Sequence, residues 1–324
     1  MRNQQYLPGF LALLAEVDHL LHRSALDPLH RRLLQHSLDI LRQDFFEDKL
    51  IPALLFPILA REALGVSPAP VFNQLGAAHF LFYGFLDITD DVEDRDLKGL
   101  LWQDLGEPAA INIGSSLLFL SQQMLHEMDI PAPLKLALLA SFSEAGYLLT
   151  VGQHRDLLSA RNPAQGVQGS LNTHLLKTGS SIALYLVTSA QLAGASSRMI
   201  EAFESLGHDV GVLMQIFGDW RDTEKKDSPD FANGCESVPL QLLRAHVDDA
   251  DRAYLERLLL EAKNHTPLPF ELYRYLLRKY QIRGVVNQWI SHYHKQAVSH
   301  LQTLEGLGCE VESFYDFLAR FKPL

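Results

Sequence analysis

Asp87, Asp90, Asp91 and Asp94 follow one another at i, i+3, i+4 and i+7. On an α-helix that spacing stacks four carboxylates on one face. Like charges one turn apart destabilise a helix by roughly 0.2–0.5 kcal/mol per pair, so such a face asks for a countercharge. Mg2+ is the natural one, because it takes hard oxygen ligands and bridges one or two carboxylates to substrate phosphates. The residues therefore imply a metal and, as its other ligand, a diphosphate. A second acidic group, Asp219 and Asp222, closes the segment QIFGDWRD. Each group follows an apolar stretch, which predicts carboxylates facing each other across the mouth of a pocket with room for a hydrocarbon tail. The competing reading of each group is a solvated acidic helix end.

The elements that must carry these groups are helical. The run AAHFLFYGFL ahead of Asp87 is apolar almost all round, which predicts a helix buried among others. Apolar residues recur at helical spacing over 7–23, 33–46, 134–157, 171–192, 199–220, 254–263, 272–279 and 285–304. Turn residues gather at 65–70, 106–108, 131–133, 162–169 and 228–235. Strand-like alternation, βαβ rhythm, flexible linkers and fixed-period repeats are absent from the sequence. The expectation is an all-α, single-domain antiparallel helical bundle over 1–324, about ten helices around a central apolar cavity.

With these segments in view, the chain resembles the trans-prenyl diphosphate synthases (polyprenyl synthetases), members of the class I isoprenoid synthase fold. Residues 88–94, ITDDVED, are similar to the family's first aspartate-rich motif, DDxxD. Gly152-Gln153-His154-Arg155-Asp156-Leu157 matches its GQxxDL, and Lys177-Thr178-Gly179 its KTG. Residues 214–222, MQIFGDWRD, resemble the second motif FQxxDDxxD, and 230–240, DFANGCESVPL, follow DxxxGKxTLPL. The matches come in family order and span about 48–240. The resemblance implies that Asp90 and Asp94 bind Mg2+ with Asp87 and Asp91 in the same cluster, and that Asp219 and Asp222 hold the remaining metal. It implies that Lys177 contacts an allylic diphosphate, and that Gln153 and Gln215 line the cavity and stabilise the developing carbocation. Asp90, Asp94, Lys177 and Gln215 are then the catalytic set. The C–O bond ionises, and aromatic rings such as Phe80, Phe82, Tyr83, Phe85 and Trp220 shelter the cation, unless they serve only as core packing. A homodimer is the expected assembly.

The departures from the family pattern cluster. The family holds isopentenyl diphosphate with a GGKRxRP loop, a His seven residues before the first motif and an Arg pair after it. Here residues 47–52 read EDKLIP, keeping Lys49 without arginine, and Tyr83 stands at the His position. The stretch after the first motif, RDLKG, is shorter and offers Arg95 and Lys98. Gly218 replaces the leading Asp of the second motif, and Cys235 the lysine of the GK pair. Each lost charge-assisted contact is worth about 1.5–3 kcal/mol, so isopentenyl diphosphate should bind poorly. Three outcomes stay open: prenyl transfer to another acceptor or through a rebuilt acceptor site, cyclisation as in a terpene synthase, or a non-catalytic subunit of a heteromeric synthase. Phe85, five residues before the first motif, implies a shallow pocket and a tail of about C10 to C20 by resemblance.

Composition sets the remaining bounds. The 324 residues carry 28 Lys+Arg against 39 Asp+Glu, a net charge of −11, with 47% hydrophobic residues. That is an ordinary globular composition, and without a basic cluster it excludes general nucleic-acid binding. Two cysteines, Cys235 and Cys309, make neither a disulfide framework nor a zinc site. There is no secretory leader pattern, and no uninterrupted apolar run reaches the roughly 20 residues of a membrane span. A cytoplasmic location is the expectation.

Overall fold

The computed structural model describes residues 4–47, 49–94, 106–159, 166–225, 237–263 and 270–324. Among them the regular structure is helical throughout, as the periodicity predicts, and there is no strand. The chain divides into two compact units. The first comprises Met1–Glu144, Leu184–Phe203 and Leu304–Ser313, the second Ala145–Ala183, Glu204–Thr303 and Phe314–Leu324.

In the first unit α1 (Leu7–Arg23) buries Phe10, Leu13, Leu14, Val17, Leu20 and Leu21, a single stripe at helical spacing. The α2 helix (Pro28–Phe46) starts because Asp27 accepts the backbone N–H groups of Leu29 at 2.8 Å and His30 at 3.3 Å, with Pro28 in the first turn. After α3 (Pro52–Ala63) comes α4 (Pro70–Asp94), which packs against α1, α2, α3 and α5 (Glu107–Glu127). Neighbours on so many sides explain why residues 75–82 of α4 are buried without a polar stripe. Each large apolar side chain removed from water there contributes about 1.5–3 kcal/mol. Two glycines let the helices close in: a Cβ on Gly84 would stand 3.1 Å from Leu117 of α5 and 3.3 Å from Leu41 of α2, and one on Gly114 would stand 3.4 Å from Ile88.

The helix α6 (Ala132–Ser159) contributes residues to both units. Among the described residues, Ala132–Leu158 is the one helix long and apolar enough to cross a membrane by length and composition, a test that core helices also pass. Lys135, Ser141, Ser143 and Glu144 interrupt the run, which is why it does not read as continuous in the sequence.

The second unit holds α7 (Gly166–His174), a π-turn over Leu175–Gly179 that leads into α8 (Ser180–Leu192), and the greater part of α9 (Ser197–Asp222). It also holds α10 (Val238–His246), α11 (Asp249–Lys263), α12 (Phe270–Lys279), most of α13 (Ile282–Gly306) and of α14 (Glu312–Leu318). The α10 helix packs on α7 and α12. Asp251 of α11 accepts Lys279 Nζ at 2.6 Å and the Tyr280 hydroxyl at 2.8 Å, which pins α11 to the end of α12.

Candidate active site

In the first unit the acidic end of α4 is built on its buried half. Ile88 and Val92 face inward, and Asp87, Asp90, Asp91 and Asp94 occupy the half-buried side, as the spacing predicts. Burial pushes the Asp87 carboxyl up to about 6, and the charges of Asp90 and Asp44 add to the shift against the opposing pull of Lys49. One turn earlier, Tyr83 is half-buried with its hydroxyl end deep in the protein. Burial, Asp87, Tyr185, Asp44 and Asp90 all raise its pKa well above the usual phenol value, so it is a neutral hydrogen-bond donor. Lys49 bonds to Asp44 at 2.5 Å and lies 3.2 Å from Glu47, and these bonds raise its pKa. The corner that should hold a second diphosphate is thus dominated by carboxylates. Phe85 is half-buried, its ring 6.1 Å from that of Phe82. Arg95 and Lys98 lie outside the described residues, as does Cys235.

Lys177 belongs to the second unit and sits in the π-turn, where Ser180 N–H reaches back to the Leu175 carbonyl. Single π-turns inside a helix frequently mark functional positions. Lys177 Nζ donates to Asp156 of the GQxxDL segment at 2.7 Å. Glycines fix the turn from both sides. A Cβ on Gly152 would stand 2.8 Å from Lys177 N, and one on Gly211 of α9 would stand 2.5 Å from Gly179 Cα. A Cβ on Gly207, one turn before Gly211, would stand 2.5 Å from Ala183 Cα. Gln215, one turn further along α9, donates to Thr178 Oγ1 at 2.5 Å, and Gln153 is half-buried beside Gly152.

At the end of α9 the two aspartates differ. Asp222 is half-exposed and pairs with Lys225 at 2.7 Å. Asp219 is buried, and its Oδ2 accepts Val238 N–H at 2.8 Å and His174 Nε2 at 3.0 Å. It therefore ties the starts of α10 and the π-turn to α9. Trp220 is buried and lines a cavity with Thr223 and residues of α12 and α13. A Cβ on Gly218 would meet nothing within 4 Å among the described residues. Among the described residues no three His, Cys, Asp or Glu side chains converge on one point.

Within each unit the structure brings predicted residues together: Lys49, Tyr83, Asp87 and Asp90 in one, and Lys177, Gln215 and Asp219 in the other. Sequence reasoning missed His174, the positioning contact of Asp156, and the Gly207/Gly211 pair. The last had a visible signal, two glycines four apart on one helical face.

The polyprenyl synthetase sequence profile matches residues 56–270. The (2E,6E)-farnesyl diphosphate synthase of Mycobacterium bovis is 27% identical over 232 residues, 68% of this chain; the chain spans 63% of that relative's length. The tryptophan prenyltransferase ComQ of Bacillus subtilis is 24% identical over 288 residues, 82% of this chain and 91% of that one. The decaprenyl diphosphate synthase of Rhodobacter capsulatus superposes with a TM-score of 0.81 at 16% identity, covering 98% of this chain and 97% of that one, which shows the all-α fold of these synthases.

Proposed function

The chain belongs to the polyprenyl synthetase family, and from that premise we propose that it ionises an allylic prenyl diphosphate and transfers the prenyl group to an acceptor other than isopentenyl diphosphate. The observation that carries the reading is the state of Lys49. It is the one described cation of the second-diphosphate set, and Asp44 and Glu47 neutralise it while Tyr83 stands in place of the His. An anionic acceptor meets carboxylates there, and a neutral one does not. An indole is the acceptor class we favour, because a tryptophan prenyltransferase is similar along 91% of its own length.

Mg2+ fits the acidic end of α4, where the raised Asp87 pKa marks carboxylate charge that a cation would relieve. Asp87, Asp90, Asp91 and Asp94 are the residues that would hold it, and Asp219 and Asp222 are the proposed ligands of the remaining metal, directly or through water. When bound, the metal supplies electrostatic neutralisation of the departing diphosphate. Lys177 adds a positive charge, held by Asp156 in a turn packed too closely against Gly152 and Gly211 to admit a Cβ at either. Gln215 and Gln153 present amide dipoles to the cation. The C–O bond breaks with its electron pair on the diphosphate, the acceptor carbon attacks the allylic carbon, and the acceptor loses a proton. Phe85 limits the tail to about C10–C20 by the family pattern, and the chain works as one isoprenoid synthase domain in the cytoplasm. Exposed Ile111, Phe119 and Leu136 suit coverage by a second copy of the chain; light scattering should report a dimer.

The test is incubation with geranyl, farnesyl or geranylgeranyl diphosphate and Mg2+, adding either isopentenyl diphosphate or a tryptophan-containing peptide. Mass spectrometry should find prenylated peptide and released diphosphate, with no elongation. A lengthened diphosphate would overturn the acceptor assignment. Hydrocarbon formed without acceptor would make the chain a cyclase, and no turnover in any arm would make it a binding subunit. Asp90→Ala should abolish diphosphate release.

A further inference from the structure

Within the second unit, α12, the start of α13 and the end of α9 line an open cavity of about 560 Å³. Arg274, Arg278 and Arg283 line it, with Trp220 and Leu277 on its apolar side, Glu224 as the one acidic side chain, and Leu324, the last residue of the sequence, held on Asn287 at its edge. Arg274 and Arg278 are one turn apart on α12 and therefore share a face. Gln281, at φ 53°, reverses the chain between α12 and α13 and brings Arg283 back to the same cavity.

None of the three arginines has a carboxylate partner among the described residues. Arg274 lies over the Phe270 ring at 5.4 Å, and Arg278 Nε donates to the Arg274 carbonyl at 3.3 Å. Other cations of the same unit behave differently: Arg244 pairs with Glu256 at 2.8 Å and Lys279 with Asp251 at 2.6 Å. Three unneutralised guanidinium groups on one cavity repel one another, and an anion relieves that cost. The positive end of α13, a helix of 25 residues, adds to the field. The guanidinium fork matches phosphate oxygens two at a time, which a scatter of lysines would not.

We propose that this cavity is a binding site for a diphosphate group, separate from the Lys177 turn. Two sources share that chemistry, free inorganic diphosphate and a diphosphate carrying an apolar tail that would lie against Trp220 and Leu277. Either would settle against Trp220, whose helix also carries Asp219 and Asp222. The site stands on its own observations and does not require the acceptor assignment above.

Calorimetry without divalent metal tests it, titrating inorganic diphosphate or geranyl diphosphate into the full chain at about 0.15 M salt. Arg278 and Arg283 are exposed, so Arg278→Gln/Arg283→Gln should keep the wild-type thermal midpoint and helical signal. The double variant should weaken diphosphate binding about tenfold or more, whereas Lys177→Gln should leave a metal-free binding event intact. Equal affinity for the two probes would identify free diphosphate, and tighter geranyl diphosphate a tailed ligand; both support the site. Absence of metal-free binding, or binding lost in Lys177→Gln and unchanged in the arginine variant, would overturn it.

Discussion

The Lys177 turn in the second unit and the Lys49 corner in the first each pair a lysine with a carboxylate at nearly the same distance, 2.7 and 2.5 Å. They are built on different terms. Lys177 has 20% of its side chain exposed and rises from a backbone wedged between Gly152 and Gly211. Lys49 has 59% exposed and pairs with its neighbours along the chain, Asp44 and Glu47. An exposed ion pair of that kind contributes about 0–1 kcal/mol. The backbone around Lys177 is packed so closely that a Cβ fits at neither Gly152 nor Gly211. Ion-pair length does not distinguish the two lysines; packing does. A corner defined by side-chain charge can drift by point substitution, while a turn defined by backbone contact constrains several helices at once.

The comparison breaks first on activity. Lys177→Gln removes the charge proposed to meet the leaving group and should lower the rate of diphosphate release by about 10²–10³-fold. Lys49→Gln should leave that rate within about threefold, because its charge is already spent on two carboxylates. Steady-state diphosphate release with a single allylic substrate measures both. Equal losses would mean that the Lys49 corner still grips a substrate diphosphate.

The next largest effect is on stability. Gly211→Ala places a methyl group where Gly179 Cα already stands and should cost about 1–3 kcal/mol, as overpacking does. Urea denaturation followed by circular dichroism reads it directly. An unchanged midpoint would show that α9 can slide off the turn, and the contrast drawn above would fail.

A third test separates the units by acid. His79 of α4 is fully buried, bonded through Nε2 to Thr188 at 2.9 Å and stacked on Phe142, with no partner for Nδ1. Burial lowers its pKa from 6.5 to about 3. Between those values the unfolded chain binds a proton that the folded chain does not. Stability from this group is therefore full above pH 6.5 and falls below it, by up to roughly 1.4 kcal/mol per pH unit. Comparing wild type with His79→Phe between pH 7 and 5 isolates the slope, and hydrogen exchange should show amides of α4 loosening as the pH falls.

Much of this was legible in the sequence. The period of apolar residues gave the helices, and the i, i+3, i+4, i+7 aspartates gave the acidic face of α4, because both depend on local geometry alone. The motif order gave the family. Three features were not legible. Asp219 reads as a metal ligand by spacing, yet its Oδ2 is held by Val238 and His174, partners 19 and 45 residues away. Trp220 reads as a cavity ring by resemblance, and that it lines the arginine-bearing space of the second unit depends on residues more than fifty positions away. The neutralisation of Lys49 depends on where the end of α2 delivers Asp44, which composition does not encode.

The smallest expected effect concerns Gly218, where the family pattern has an aspartate. Unlike Gly211, seven residues earlier on the same helix, it touches nothing that would exclude a side chain. A glycine inside a helix without a packing reason costs about 0.5–1 kcal/mol relative to alanine, so Gly218→Ala should raise stability by that amount. Diphosphate release should stay unchanged, since no functional atom is removed. Gly218→Asp should fold equally well and, with Mg2+ present, speed release if the missing carboxylate limits the reaction. Were Gly218→Ala to destabilise the chain as Gly211→Ala does, open space at the end of α9 would be ruled out. The two glycines would then answer to the same constraint, and the second motif would have lost its aspartate to packing rather than to a change in what the site must hold.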